Sequence, residues 1–503
     1  MQEPTPPGVF RGHPGGVFLL SATEMWERFS YYGMAALLVL FLSAPPSSGG
    51  FGWAEEDGLR VYGIYAALVF ISPVFGGWLA TTWLGERRGI LMGGWLIVCG
   101  HLLVAAPAYG PWLIEHFSGI PVEAILRTSG IVLGEPMLSP QSHAKLLATL
   151  AARGIEGGAS AVVLAWYLKG WSIYVALVLI IAGTGLLKAP ISSLVGKLYA
   201  PGDPRREAGF TLFMVGIWLG ALGSDAFIGA LGEKVGWHVG MATAGAGMVG
   251  GMIIYLLWQQ RLLGDTGLKP ESAAPGESRK LYFDANERRR LLALLTMSIY
   301  SVLFSIAYYQ QTGALHLLVF DHADRTVLGF KIPATWAMMV TTLSFVFLAP
   351  LATVIYARLE KHGIRVDVVA KQALGLLAMA VAYVILWIAT ARFDRNSTAG
   401  IPILWFLFAY VLFAVGDVCI WPPQISAVSR FAPQRYQSLM IGAWYIAVGV
   451  GTWLASYAGA LSYSHGLRWL TGSMLALCLV AFVSLLLLRP WLNQLLASGE
   501  PSV

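Results

Sequence analysis

Charge is scarce in this sequence. Of 503 residues, 12% are Asp, Glu, Lys or Arg, while 57% are hydrophobic. A soluble chain of this length folds into domains with charged surfaces, so the shortage excludes an ordinary globular protein. Cysteine is scarcer still. Cys99, Cys419 and Cys478 are the only three, each inside an apolar run, which argues against a disulfide framework and a thiolate metal cluster. His101, His238, His316 and His322 are scattered without paired ligand spacing, and no nucleophile–base constellation stands out. Neither a metal site nor an enzyme is therefore expected; His101, in CGHLL, reads as a satisfied core histidine. No short signal peptide is read at the start. The opening MQEPTPPGVFRGHPGG is polar and rich in Pro and Gly, so it reads as a tail.

What is abundant is long apolar runs. A bilayer core needs about 20 apolar residues per helix, and about twelve segments qualify: 16–43, 57–83, 87–108, 173–199, 207–231, 237–260, 291–319, 333–357, 368–391, 401–428, 436–460 and 468–490. The expected class is an all-α polytopic membrane protein. Residues 263–290 change composition abruptly, becoming polar and ending in Arg288, Arg289 and Arg290. They read as a linker between six-helix bundles at 16–262 and 291–492, with short tails at 1–15 and 493–503.

The net charge is +6. Its basic residues sit in particular loops, so topology rather than nucleic acid explains them. Arg87 and Arg88, Arg205 and Arg206, the linker, and Lys361 and Arg365 fall on one side, while the 44–56 loop carries Glu55 and Glu56 and no Lys or Arg. That bias places both termini in the cytoplasm. Residues 109–172 form an extracytoplasmic insertion, read as short interfacial helices or a lid, or else as an inert decoration.

Within this apolar chain a few charges are misplaced. EMWERFSYYG, residues 24–33, lies inside the first span, where each charge costs roughly 2.5–3.5 kcal/mol. Glu24, Glu27, Arg28 and Tyr31 follow helical three- and four-residue spacing, as do Arg28 and Tyr32. A carboxylate beside a guanidinium holds its charge in a low dielectric and accepts a proton when the arginine moves to another partner. The alternative is a structural cluster that braces the bundle. Lys188, in IIAGTGLLKAPISSLVG, and Asp417, in FAVGDVCIWPP, are each alone in an apolar run. They are candidates to pair across the two halves, closing one side of a cavity, or to form a permanent ion pair.

EMWERFSYYG resembles the ExxERFxYYG signature of the proton-dependent oligopeptide transporters, a family of the major facilitator superfamily, here as a bacterial-type member. GTGLLKAPISSLVGKLY, DPRREAGFTLF, VGWHVG, QQTG, IPATW, the Gly416–Asp417 pair and IGAWY are similar to family segments along nearly the whole chain. The resemblance implies a twelve-helix transporter fold and symport of di- and tripeptides with protons by alternating access. It implies no cofactor beyond the coupling proton, with peptides, protons and lipid as partners, and a monomer in the cell (inner) membrane. It assigns proton coupling to Glu24, Glu27 and Arg28. The peptide carboxylate falls to Arg28 and Lys188, and the amine to Asp417 in place of a family glutamate. Tyr31, Tyr32 and Trp444 would line the pocket.

The chain also departs from that pattern. Ala35 and Gln310 replace a usual arginine and acidic residue thought to gate the outer side, and Arg60 with Asp321 is a substitute candidate. Trp218 and Trp421 replace smaller polar residues; they are expected in the cavity, where they would shrink it or stack on an unusual substrate, the alternative being that they face lipid or a neighbouring helix. Phe70 replaces a tyrosine and Thr341 an asparagine. Thr81 and Thr82 stand where GGWLATTWLGERR, similar to a superfamily loop, lacks its aspartate. The linker is too short for the extra helix pair of bacterial members. The runner-up function is a diverged member that carries another small solute, or one with weak coupling and an occluded pocket. A channel fits less well, because opposite buried charges in two halves suit alternating access.

Overall fold

Pro14 and Pro45 bracket the first helix. Pro14, with φ −56°, precedes Gly15, and α1 runs Gly15–Ser43. Ala44 is extended at ψ 141°, because a residue before proline is excluded from helical backbone. The computed structural model describes residues 12–45, 48–105, 116, 119, 140–152, 154, 159–200, 203, 205–270, 283–392, 400–433 and 436–497.

The following helices are α2 (Glu55–Leu79), α3 (Glu86–Ala105), α4 (Pro140–Ala152), α5 (Ala159–Lys197), α6 (Arg206–Lys234) and α7 (Trp237–Leu263). After the linker come α8 (Ala285–Tyr308), α9 (Ala314–His322), α10 (Thr335–Lys361), α11 (Val368–Arg392), α12 (Ile403–Phe431), α13 (Gln437–His465) and α14 (Leu467–Ala497). Eleven helical stretches among the described residues are long and apolar enough to cross a membrane. α1 falls outside that set because Glu24, Glu27 and Arg28 interrupt its apolar run, yet its 29 residues are long enough to span. The chain is a multi-pass, all-helical membrane protein.

Several boundaries differ from the sequence reading. The fourth span starts at Ala159 rather than 173, giving a helix of 39 residues. α4 and the start of α5 lie in the 109–172 insertion, most of whose remaining residues lie outside the described ones. α8 begins at Ala285, within the segment read as linker. Asp284 accepts from the Glu287 N–H, and Glu287 reaches back to the Asp284 N–H, so a capping box starts the helix early and draws Arg288–Arg290 into its first turns. α8 ends in a tight turn, Tyr309–Thr312, before α9. α14 continues to Ala497, into the segment read as a tail.

The helices group into two units. The first comprises Met1–Gly58 and Ser72–Ser272, the second Leu59–Ile71 and Ala273–Val503. In the first, small residues bring helices together, as membrane interfaces favour. A Cβ on Gly183 would stand 2.5 Å from the Gly93 carbonyl oxygen, and one on Gly220 would stand 2.2 Å from that of Met25. Leu20, Ile90, Leu187, Ile191, Met248 and Tyr255 fill the core beside them. In the second unit, a Cβ on Gly375 would lie 3.0 Å from the Gly416 carbonyl oxygen, and one on Gly63 would lie 2.5 Å from Ser456.

Two small sheets join loops of the second unit. Ala323–Asp324 (β1) pairs in parallel with Ile401–Pro402 (β4), and Thr326–Val327 (β2) pairs antiparallel with Phe330–Lys331 (β3). Leu328, at φ 51°, and Gly329, at φ 80°, turn that hairpin.

Candidate functional site

The charges of α1 are buried and in contact. The Arg28 side chain is 4% exposed, Glu24 2% and Glu27 1%. Arg28 Nε lies 3.2 Å from Glu24 Oε1 and donates to Glu27 Oε2. Its guanidinium sits 5.0 Å from the Tyr31 ring centroid, and the Tyr31 and Tyr32 rings meet edge-on at 5.2 Å. One oxygen of each carboxylate and Arg28 Nη2 have no hydrogen-bond partner among the described residues. The cluster is therefore charge-compensated yet retains both donor and acceptor capacity.

Lys188 belongs to the same group. It stands on α5, two residues before Pro190, and its charge acts on Glu24, Glu27 and Arg28. The first unit thus brings together two carboxylates and two cations. The sequence had also raised an Asp417 partner for this lysine. What the second unit gives Asp417 is Tyr308, whose hydroxyl donates to Asp417 Oδ2 at 3.1 Å.

Asp417 is 6% exposed, on α12. Around it run aromatic rings. Tyr308 and Tyr309 pack edge-on at 5.3 Å, and Tyr309 and Phe70 at 5.8 Å. Phe70 meets Trp421 at 6.2 Å, and Trp421 meets Trp444 at 4.9 Å. Trp444 is buried, and its indole N–H donates to Ser301 Oγ at 3.4 Å. Trp421 therefore packs on rings of its own unit. Trp218, on α6, is half-buried.

The departures noted in the sequence acquire partners. The Gln310 amide donates to the carbonyls of Ala455 at 2.7 Å and Ile306 at 3.1 Å, tying the end of α8 to α13. Thr341 donates to Gln311 Oε1 at 3.0 Å. Thr81 and Thr82 bond back to the carbonyls of Gly77, at 2.9 Å, and Trp78, at 2.7 Å. The α2–α3 turn is held instead by Glu86, 2.8 Å from Lys197 Nζ, and by Arg87, which donates to the Gly264 carbonyl at 2.6 Å. Arg60 and Asp321 are exposed.

Sequence reasoning missed three features. Tyr308 and Tyr309 were legible only as apolar filling beside Gln310. Asp225, 4% exposed on α6, was visible as a lone carboxylate in GALGSDAFIGAL. His101 is buried as expected, but neither ring nitrogen has a partner among the described residues. No group of three or more His, Cys, Asp or Glu able to hold a metal ion occurs among those residues.

Comparison with known proteins gives a consistent picture. A family model described as the POT family matches residues 87–283 and 271–468. The peptide transporter YePEPT of Yersinia enterocolitica subsp. palearctica is 27% identical, over 95% of this chain and 94% of that protein. A di-/tripeptide transporter of Lactococcus lactis subsp. cremoris is 26% identical, over 87% of this chain and 88% of that one. A crystal structure of a POT peptide transporter in complex with sulfate is 25% identical, with a TM-score of 0.78 over 98% of each chain.

Proposed function

The chain belongs to the POT family, and from that premise we propose that it is a proton-coupled symporter of di- and tripeptides that works by alternating access. The observation that carries the coupling is the buried group of Glu24, Glu27 and Arg28, with one guanidinium shared between two carboxylates. A proton on either carboxylate weakens its hold on Arg28. The guanidinium then presents its donors to the peptide's terminal carboxylate, for which its fork geometry is suited. Departure of the peptide returns Arg28 to the carboxylates and expels the proton. Lys188 supplies a second cation to the same carboxylate, and Asp417 supplies the anion for the peptide's amine.

The basic loops, Arg87 and Arg88 and Arg205 and Arg206 among them, support cytoplasmic termini in a cell (inner) membrane. The carrier acts as a monomer. The test is uptake of labelled dialanine into proteoliposomes. Accumulation under an inward proton gradient, abolished by a protonophore and competed by unlabelled di- and tripeptides, is the expected result. Uptake that ignores the gradient would remove the coupling, and absence of any peptide uptake or counterflow would remove the substrate class.

A further inference from the structure

Asp417 and Trp421 lie four residues apart on α12 and so share a face. Helical side chains lean toward the helix N-terminus, which carries the Trp421 indole back over the turn that holds the Asp417 carboxylate. The rings then close a circuit within the second unit. Tyr308 donates to Asp417, Tyr309 packs on Tyr308, Phe70 on Tyr309 and Trp421 on Phe70. Asp417 and Phe70 are buried, whereas Tyr308, Tyr309 and Trp421 keep partial exposure. Those three rings are the members of the circuit that reach the surface. Trp444 backs the indole from behind, fixed by its bond to Ser301.

A carboxylate beside a run of aromatic rings has a definite chemical preference. A primary ammonium carries three N–H donors. Here Asp417 and the tyrosine hydroxyls are acceptors, but Phe70 and Trp421 offer none, since an indole only donates. Replacing N–H by N–methyl removes unmatched donors. It also spreads the positive charge over a surface that packs on ring faces, indole being the best of them.

We propose that Tyr308, Tyr309, Phe70 and Trp421 form an aromatic cage beside Asp417 that takes N-alkylated ammonium groups, so that this carrier accepts peptides methylated at the amino terminus. This rests on the peptide-carrier reading for its substrate and on the second unit alone for its site.

The experiment is calorimetric binding to the purified full-length protein in detergent, with four probes: glycylglycine, N-methylglycylglycine, N,N,N-trimethylglycylglycine and tetramethylammonium. In the unaltered protein the trimethylated dipeptide should bind at least as tightly as glycylglycine. Trp421→Ser should lower the ratio of trimethylated to unmethylated affinity by about tenfold, and Trp421→Phe should restore most of it. A trimethylated dipeptide bound more than tenfold weaker than glycylglycine by the unaltered protein would overturn the cage. So would a ratio indifferent to Trp421→Phe and Trp421→Ser alike. If neither dipeptide binds, the peptide reading fails, and tetramethylammonium decides the cage by itself: binding lost in Trp421→Ser supports it, and no binding overturns it.

Discussion

Glu86 and Lys197 form an ion pair of 2.8 Å in which the carboxylate is 2% exposed and the ammonium 33%. The pair joins the start of α3 to the end of α5, next to the Arg87 bonds to the segment after α7. Removing the lysine strands a buried charge, which costs more than the pair itself contributes. Lys197→Met is therefore expected to lower the melting temperature in detergent by several degrees. The double variant Glu86→Gln with Lys197→Met should recover part of the loss. Equal melting of the single variant and the original protein would show the pair to be dispensable.

Proton coupling is predicted to fail in Glu24→Gln and in Glu27→Gln. Each substitution removes a titratable oxygen that faces Arg28 and keeps the side-chain volume. Gradient-driven uptake should fall to the level without a gradient, while exchange of labelled for unlabelled peptide persists. Wild-type driven uptake in both variants would transfer the coupling role elsewhere.

Lys188→Ala should weaken peptides with a free carboxyl end more than amidated ones. A charge-assisted contact is worth about 1.5–3 kcal/mol, so competition should shift by about tenfold or more for the free acid. Equal shifts for both would assign Lys188 to balancing Glu24 and Glu27.

Gln310→Glu tests an amide that donates twice, to Ala455 and Ile306. A carboxylate there would face two carbonyls with nothing to donate. Both Gln310 bonds would be lost, and carboxylate oxygens would be pressed against carbonyl oxygens in a buried place. Gln310→Glu should therefore melt several degrees below the original protein in detergent. Equal melting would reject this reading of the site.

Asp367 lies between α10 and α11. Partial burial pushes its carboxyl upward, but bonds from Arg489 and the Ala370 N–H outweigh this and leave it below its ordinary value. Arg489 Nη2 is 2.7 Å from Oδ2, and the Ala370 N–H is 2.8 Å from Oδ1. A lowered carboxyl contributes stability above its unfolded pKa that disappears as pH falls through the folded one. Asp367→Asn should therefore melt below the original protein at pH 7 and converge with it as the solution is acidified toward pH 3. A constant difference would mean that only the cap geometry matters.

The sequence made some of this legible and hid the rest for physical reasons. The spans could be read because apolar runs about 20 residues long are conspicuous, and their ends because Pro45 and Gly264 interrupt them. The start of α8 was misjudged because Asp284 and Glu287 look like linker residues until their side chains and backbone amides are seen to bond to each other. Glu24, Glu27 and Arg28 announced themselves through their cost in a bilayer. Tyr308 and Tyr309 did not, since an aromatic residue in an apolar span costs nothing and looks the same whether it packs on lipid or beside a carboxylate. Trp421 was visible as an oddity, but only the ring contacts show that its neighbours are Phe70 and Trp444.

Glu24, Glu27, Arg28 and Lys188 gather two charges of each sign inside the first unit. A zwitterionic peptide brings no net charge of its own. In the proposed symport each accompanying proton would therefore carry one positive charge through the bilayer field, and an interior-negative potential of 100 mV would add about 2.3 kcal/mol to uptake. That is roughly a 50-fold gain in the concentration ratio the carrier can sustain, so voltage alone, at equal pH on both sides, would fill the vesicles.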